Sequence, residues 1–494
     1  MVGVSPVESN EPDPRRWRAF AVTLTAGFMS LLDVSIVNVA LPSIQSGLGA
    51  SVAGAQWVVS GYALAFGLVL VAGGRLGDAL GRRRMFLIAL SAFIATSALA
   101  GASVNEEMLV AARLLQGVAA GMLTPQNSGL IQELFRGAER GRAFGMFGAT
   151  VGISTAVGPV LGGLIIAAFG PETGWRWVFY VNVPIGLVAL VLATRLLPKA
   201  PRSDTPLRSR LDVTGMVLLG LAVLGVLLPL VQSEQGGIAR LWWLFPLAVV
   251  LGYLFVRWER RLVRDDRAPL LDPRLYTETP GYAIGAAIGA TYFCGFAGMW
   301  LVFAMFFQQG LGYSPLESGL LVTPFALGSA VSAAIAGRLV PKRGRWLTVT
   351  GLSLVAAGLV TVAVLVPLVA EEAIGYAVAV PLLVAGLGGG MVISPNTTLT
   401  LDRVPTRMAG VAGGALQTGQ RLGTALGVAV LGSVYHAGIT GAGESYPAAL
   451  GYAMACSVAF TAAALLLAIV DARRHPHRRL SEKAPSVTNA GPLE

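Results

Sequence analysis

The sequence predicts an all-α polytopic membrane protein of fourteen spans: six helices, two inserted helices, then six more. Three observations predict it. Charged residues make up 13% of the 494 positions and hydrophobic ones 54%, whereas soluble domains hold about a quarter charged. Apolar runs of about 20 residues, long enough to cross a bilayer, recur along the whole chain. The 62 glycines suit membrane helices, which pack closely through small residues.

The spans run over about 18–44, 52–74, 84–104, 107–128, 141–169 and 177–198, forming a first six-helix bundle over 18–198. Spans at about 212–232 and 239–258 lie within a linker at 199–280. The second bundle, 281–471, holds spans at about 281–308, 316–340, 346–370, 374–398, 407–437 and 447–471. Residues 1–17 and 472–494 are polar tails. The first 14 residues lack a basic n-region and a small-residue cleavage site, so the first span is expected to be retained.

Basic residues test this count through the positive-inside rule. With both termini in the cytoplasm, inner connections and tails hold 32 of the 36 Lys and Arg. Arg176 and Arg240 fall in outer connections, and Arg113 and Arg421 fall within spans. Outer connections carry acids instead, among them Glu106, Glu107, Glu371 and Glu372. One helix more or fewer would scramble the alternation. The net charge of +10 is therefore a topology signal, and nucleic acid is not an expected partner.

An internal repeat supports two bundles. Gly74-Arg75-Leu76-Gly77-Asp78-Ala79-Leu80-Gly81-Arg82 matches Gly337–Arg345 in the pattern GRLxxxxGR, 263 residues later, each copy after the second span of its block. Parallel repeats of this kind suit a transporter that rocks two halves around a central site.

Several chemistries are excluded. None of Lys199, Lys342 and Lys483 follows a glycine, so no GxxxxGK[ST] phosphate loop exists. Cys294 and Cys456 sit in apolar segments, and His436, His475 and His477 lack metal-ligand spacing. Neither cofactor nor metal is expected, and no nucleophile–His–acid set for an enzyme can be assembled within the spans.

Asp33 is the one acid deep in a span. A carboxylate at a helix centre costs roughly 2.5–3.5 kcal/mol on insertion scales and is a functional candidate by default. Thirteen residues from Phe20 at ~1.5 Å each place it ~20 Å above the inner end. Arg113, in a span running the other way, comes out ~21 Å up a ~30 Å core. Burial opposes the charge on Asp33, and a nearby guanidinium favours it. Arginine keeps its proton, so Asp33 reads as proton carrier and Arg113 as its tuner. A static buried ion pair is the alternative.

In the fifth span, Gly158-Pro159-Val160-Leu161-Gly162-Gly163 follows Gly145 and Ser154. Gly158 and Gly162, one turn apart, offer a smooth face, and Pro159 favours a bend. Such a helix suits a moving interface or simple small-residue packing. In the loop Gly74–Arg84, Gly74 and Gly81 permit a tight turn. There Asp78 can pair with arginines such as Arg82, or with a helix N-terminus of the other half, as a latch. Pro341 stands at Asp78's place in the second copy.

These stretches resemble a family. LLDVSIVNVALP (Leu31–Pro42), GRLGDALGRRR, RLLQG (Arg113–Gly117) and GPVLGG are similar to the major facilitator superfamily, and more narrowly to its fourteen-helix drug:proton antiporters. WRWVFYVNVPIG (Trp175–Gly186) and QQGLGYSPLESG (Gln308–Gly319) resemble that subgroup too. The resemblance implies the major facilitator fold and export driven by protons. It implies a proton site at Asp33 and coupling assisted by Arg113, and it links the glycine–proline helix to antiport. Ser35 stands where threonine is common, and Ser154 replaces a glycine of the pattern.

For the substrate, Tyr292, Phe296, Trp300, Phe303 and Phe307 form one aromatic stripe on the ninth span. The stripe lines the central cavity or faces lipid or a neighbouring helix. Gln56, Trp57, Tyr62 and Asn396 are further candidates. Arg421 either meets an anionic group or satisfies backbone carbonyls. The expected function is proton-coupled export of lipophilic compounds such as drugs, dyes or antibiotics across a bacterial cell membrane, by a single chain. A dedicated exporter of one metabolite or lipid, and an uncoupled facilitator, are the alternatives.

Overall fold

The structure of the chain, a computed structural model, describes residues 15–170, 172–198, 211–370, 373–440 and 446–474. The expectations for Glu371 and Glu372, and for most of both tails, lie outside the described residues.

The N-terminal half comprises α1 (Arg16–Leu48), α2 (Val52–Leu80), α3 (Arg82–Gly101), α4 (Glu106–Leu134), α5 (Gly137–Phe169), α6 (Gly174–Tyr180) and α7 (Asn182–Leu196). Between the halves come α8 (Val213–Val231), a short α9 (Gly237–Leu241), α10 (Leu244–Arg264) and a short α11 (Arg274–Thr277). The C-terminal half comprises α12 (Tyr282–Met305), α13 (Pro315–Arg343), α14 (Arg345–Leu365), α15 (Ile374–Leu401), α16 (Ala409–Thr440) and α17 (Tyr446–Arg474).

Local chemistry sets the ends. Ser51 caps α2 by accepting from Gly54 N, and Asn105 caps α4 by accepting from Met108 N. Ser314 and Glu317 form a reciprocal capping box at α13. Pro184 has no N–H to offer Tyr180 one turn earlier, and the expected sixth span divides there into α6 and α7. Gly49 closes α1 in the left-handed region at φ +63°.

By length and composition, thirteen helices among the described residues can cross a membrane, with α6 and α7 counted as one. The exception is α10, which matches the expected span at 239–258. Its last turns carry Arg257, Glu259, Arg260, Arg261 and Arg264, and it packs back along α8.

One expectation needs correction. Gly74–Leu80 is not a loop, because α2 continues through Leu80 and only Gly81, at φ +91°, makes the turn. Glycine permits a turn without compelling one, and here it serves close approach instead. A Cβ on Gly77 would meet Gln126 Oε1 at 1.9 Å, and one on Gly74 would meet Gly410 O at 2.3 Å. The second copy turns at Gly344, φ +52°.

In the N-terminal half, α1 packs on α5 and α7, and α4 on α2 and α3. In the C-terminal half, α12 packs on α16 and α17, and α15 on α13 and α14. The halves meet along α5 against α13 and α2 against α16. At the first seam, a Cβ on Gly145 would lie 2.9 Å from Gly337 Cα, and one on Gly337 2.8 Å from Gly145 Cα. The backbones touch there, which only glycine allows. Alongside the second seam, α8 packs on both α2 and α16. Its Leu227 lies against Leu64 of α2 and Leu422 of α16, closing that side laterally.

Candidate functional site: a buried carboxylate and a central cavity

Asp33 and Arg113 meet inside the N-terminal half. Asp33 is 0% exposed and Arg113 1%. Arg113 Nη1 donates to Asp33 Oδ2 at 2.5 Å. The other carboxylate oxygen accepts from Gln116 Nε2 at 3.0 Å and Asn182 Nδ2 at 3.1 Å. Arg113 also donates to Val58 O at 2.9 Å through Nε and to Gln116 Oε1 at 2.8 Å through Nη1. The carboxylate therefore has one cation and two amide donors in a fully buried site, the pairing that a buried charge requires.

The arrangement follows from helix register. Arg113 and Gln116 are three residues apart on α4 and share a face. Asn182 opens α7 just after the α6–α7 break, so its amide points back at α1. Its Nδ2 also donates to Ser97 Oγ at 3.2 Å, and Ser97 donates to Phe179 O at 2.9 Å. Sequence reading misses Gln116, Asn182 and Ser97 as donors. The only signal for the first two is their place inside RLLQG and WRWVFYVNVPIG.

Tyr62, a cavity candidate by sequence, belongs to this site. Its ring lies under Arg113, 4.2 Å from the guanidinium carbon, and its hydroxyl donates to Ser30 O at 3.2 Å. Ser30 sits one turn from Asp33 on α1 and faces the central cavity. Asp33 itself does not line that cavity.

The glycine–proline segment abuts the same helix. A Cβ on Gly158 would meet Ser35 Oγ at 2.0 Å, and one on Gly162 would meet Ile36 Cγ1 at 3.0 Å. Ser35 donates to Ser154 O at 3.0 Å. Gly163 has nothing within 4 Å of its Cβ position. Pro159 lies inside α5. These residues press α5 onto α1 within one half, and the α5–α13 seam is made further along by Gly145 and Gly152.

Hydrogen bonds between the halves gather at the end of the bundle that carries Gly81. Asp78 accepts from Gly410 N at 3.1 Å and Val411 N at 2.9 Å, the free donors at the start of α16. Arg82 donates to Asp78 Oδ1 at 3.2 Å, to Gly129 O at 2.5 Å, and across the seam to Thr406 O. Arg140 donates to Asp402 O at 3.1 Å.

The central cavity lies between the halves. It has a volume of about 100 Å³, below the ~300–1,000 Å³ of drug-sized sites. Phe66, Phe144, Phe147 and Phe293 give it an aromatic wall, and Asn127, Ser394, Gln417 and Gln420 give it polar groups. Arg421 enters it with its guanidinium carbon 4.5 Å from the Phe66 ring centre.

The other cavity candidates are placed elsewhere. Tyr292, Phe303 and Phe307 are buried in the C-terminal core, and Phe296 and Trp300 meet Phe325 in tilted and edge-on contacts. The stripe is real, but its face turns into the bundle, and it is Phe293, off the stripe, that reaches the cavity. Spacing defines a face without naming its neighbour. Asn396 accepts from Arg345 Nη1 at 2.5 Å and donates to Gly285 O at 2.9 Å. Gln56 accepts from Gln235, and Trp57 packs beside α8. The inserted helix thus covers that face of α2.

A helical molecule with membrane-length helices, built of two related halves around a central cavity, has the architecture of a secondary transporter. Residues 23–428 match the family model described as Major Facilitator Superfamily, and the chain belongs to that superfamily. It is a transporter and not an enzyme, in a family that uses no cofactor. It is 38% identical over 430 residues to the "Probable actinorhodin transporter" of Streptomyces coelicolor, covering 86% of this chain and 73% of that one. It is 37% identical over 480 residues to the "Puromycin resistance protein pur8" of Streptomyces alboniger, covering 95% and 92%. Among solved structures it resembles the human organic anion transporter MFSD10 with a TM-score of 0.65, over 92% of this chain and all of that one. At 16% identity that likeness is one of fold alone.

Proposed function

We propose that the chain is a proton-coupled exporter of lipophilic small molecules such as drugs, dyes or antibiotics, working as a single chain in a bacterial cell membrane. The names of its relatives, one for puromycin resistance and one for actinorhodin, support the substrate class. The observation that carries the coupling is the fully buried Asp33–Arg113 pair, set one turn from the cavity wall at Ser30.

The topology follows the basic residues. The end carrying Gly81, Arg82 and Arg140 is cytoplasmic, as are both tails. Residues 18–198 and 281–471 act as the moving bundles, and 199–280 links them. The contacts of Asp78 and Arg82 with the other half close that end, so this state faces away from the cytoplasm.

The cycle then has a physical logic. Ionised Asp33 accepts three N–H donors and holds α1 to α4 and α7. A proton on the carboxyl removes the ion pair and one acceptor position, which leaves Arg113 without a counter-charge. Arg113 rests on Tyr62, and Tyr62 is tied to Ser30. Loss of the pair therefore loosens the α1–α2 wall of the cavity. Substrate leaves outward, the halves rock, and the proton leaves inward. Ionised Asp33 then restores the binding wall. Gly158 and Gly162 let α1 slide against α5 in this movement.

Inverted membrane vesicles with an acid interior test the proposal. Wild type should accumulate a lipophilic dye and lose it when the gradient is collapsed. Asp33→Asn, confirmed as folded and inserted, should not. Undiminished accumulation by the variant would place the proton path elsewhere.

A further inference from the structure

We infer that the central cavity takes an aromatic anion, with the acid group of the substrate seated on Arg421. This rests on the exporter reading and names the substrate class of the same cavity.

Four buried arginines each have a carboxylate partner: Arg113 with Asp33, Arg82 with Asp78, Arg140 with Asp402, and Arg345 with Asp471. Arg421 has none among the described residues, nor does it donate to a backbone carbonyl there. It rests on the face of Phe66. Of the described side chains that line the cavity, Arg421 alone is charged. A guanidinium in a mostly apolar, low-dielectric space is costly until a counter-charge arrives, and its forked donors suit a carboxylate or phenolate.

The neighbouring groups fit the rest of such a molecule. Phe66, Phe144, Phe147 and Phe293 offer faces for aromatic rings. Asn127 is 1% exposed and Ser394 2% exposed. Both amide atoms of Asn127 and the hydroxyl of Ser394 have no hydrogen-bond partner among the described residues, so the cavity wall offers polar groups that a ligand can pair. An organic cation would meet Arg421 with no carboxylate to offset it. The site therefore discriminates by repulsion as well as attraction.

The same charges bear on coupling. Phe66 stacks on Tyr62 at 6.2 Å, and Tyr62 lies under Arg113. Two rings on consecutive turns of α2 thus stand between the proton site and Arg421. With the anion bound and Asp33 ionised, each arginine has its counter-charge. With the cavity empty and Asp33 protonated, neither has. One anion out and one proton in therefore move two charges, and transport should respond to a membrane potential at equal pH.

The test is equilibrium binding to the purified full-length chain in lipid nanodiscs, read by fluorescence polarisation. Three probes share one aromatic body: pyrenebutyrate, its methyl ester, and the matching trimethylammonium cation. Wild type should bind the anion roughly ten- to a hundredfold more tightly than the ester, and the cation most weakly. Arg421→Gln should reduce the anion to the level of the ester and leave the ester unchanged. Arg421→Lys should keep part of the preference. The inference is overturned if ester or cation binds wild type as well as the anion does, if Arg421→Gln keeps the preference, or if no probe binds saturably. The vesicle experiment on Asp33 is independent of these outcomes, so failure of the charge preference and failure of proton coupling can be told apart.

Discussion

Arg82 and Arg345 stand 263 residues apart at matching places in the repeat, each at the start of a third helix. Arg82 reaches out of its half, to Thr406, and shares Asp78 with the first turn of α16. Arg345 donates within its own half among the described residues, to Asp471 at 2.7 Å and Asn396 at 2.5 Å. The contrast repeats deeper in the membrane. On α1 the N-terminal half has Asp33, while the residue 263 positions later is Phe296, packed among aromatics. Under the proposed mechanism one half holds charge where it can couple to movement, and the other uses charge and rings to hold itself together. A shared fold therefore does not assign a shared task.

The largest effects should come from breaking two of the buried ion pairs, Arg113–Asp33 and Arg345–Asp471. Arg113→Met and Arg345→Met each remove the arginine partner of a buried carboxylate and should cost about 3–5 kcal/mol, seen as lower unfolding temperatures of the purified proteins. Only Arg113→Met should abolish proton-driven transport in the fraction that stays folded. If Arg345→Met also uncouples, the division of labour between the halves is wrong.

A smaller effect is expected at the seam. Asp78→Ala frees Gly410 and Val411 N–H while Arg82 keeps Glu133, Gly129 O and Thr406 O, so the loss should be about 0.5–2 kcal/mol of the closed state, the range of a lost helix cap. Hydrogen exchange in the first turn of α16 should quicken, and the first turn of α5, its counterpart in the N-terminal half, should change little. Unchanged exchange at α16 would remove the latch.

A contrast down to no effect at all separates two glycines on one helix. Gly158→Ala forces a methyl onto Ser35 and Ile36 and should destabilise by roughly 1–3 kcal/mol. Gly163→Ala meets nothing and should be neutral or gain up to about 1 kcal/mol in helix propensity. Thermal unfolding of the pair checks this, and equal shifts would mean that α5 does not press on α1.

The fold is largely legible in the sequence, because apolar length and the alternation of Lys and Arg report membrane crossing directly. The site is legible in part. Depth arithmetic places Asp33 and Arg113 at one level, but the rotation of α1 and α4 that brings them to 2.5 Å depends on packing. Gln116 and Asn182 read as ordinary polar residues until the α6–α7 break turns Asn182 inward. The stripe from Tyr292 to Phe307 misleads for the same reason. Periodicity fixes which side chains share a face, and the surrounding helices decide what that face meets. Gly74 and Gly77 read as a loop because a glycine for a turn and a glycine for close contact are alike in a single sequence.

Proton release on substrate binding tests the central claim most directly. The purified protein, in weakly buffered solution with a pH indicator, is mixed with a substrate it transports. Wild type should release protons in proportion to the substrate bound, and Asp33→Asn should bind that substrate without releasing any. Equal release from both would show that Asp33 does not carry the proton, and would contradict the account.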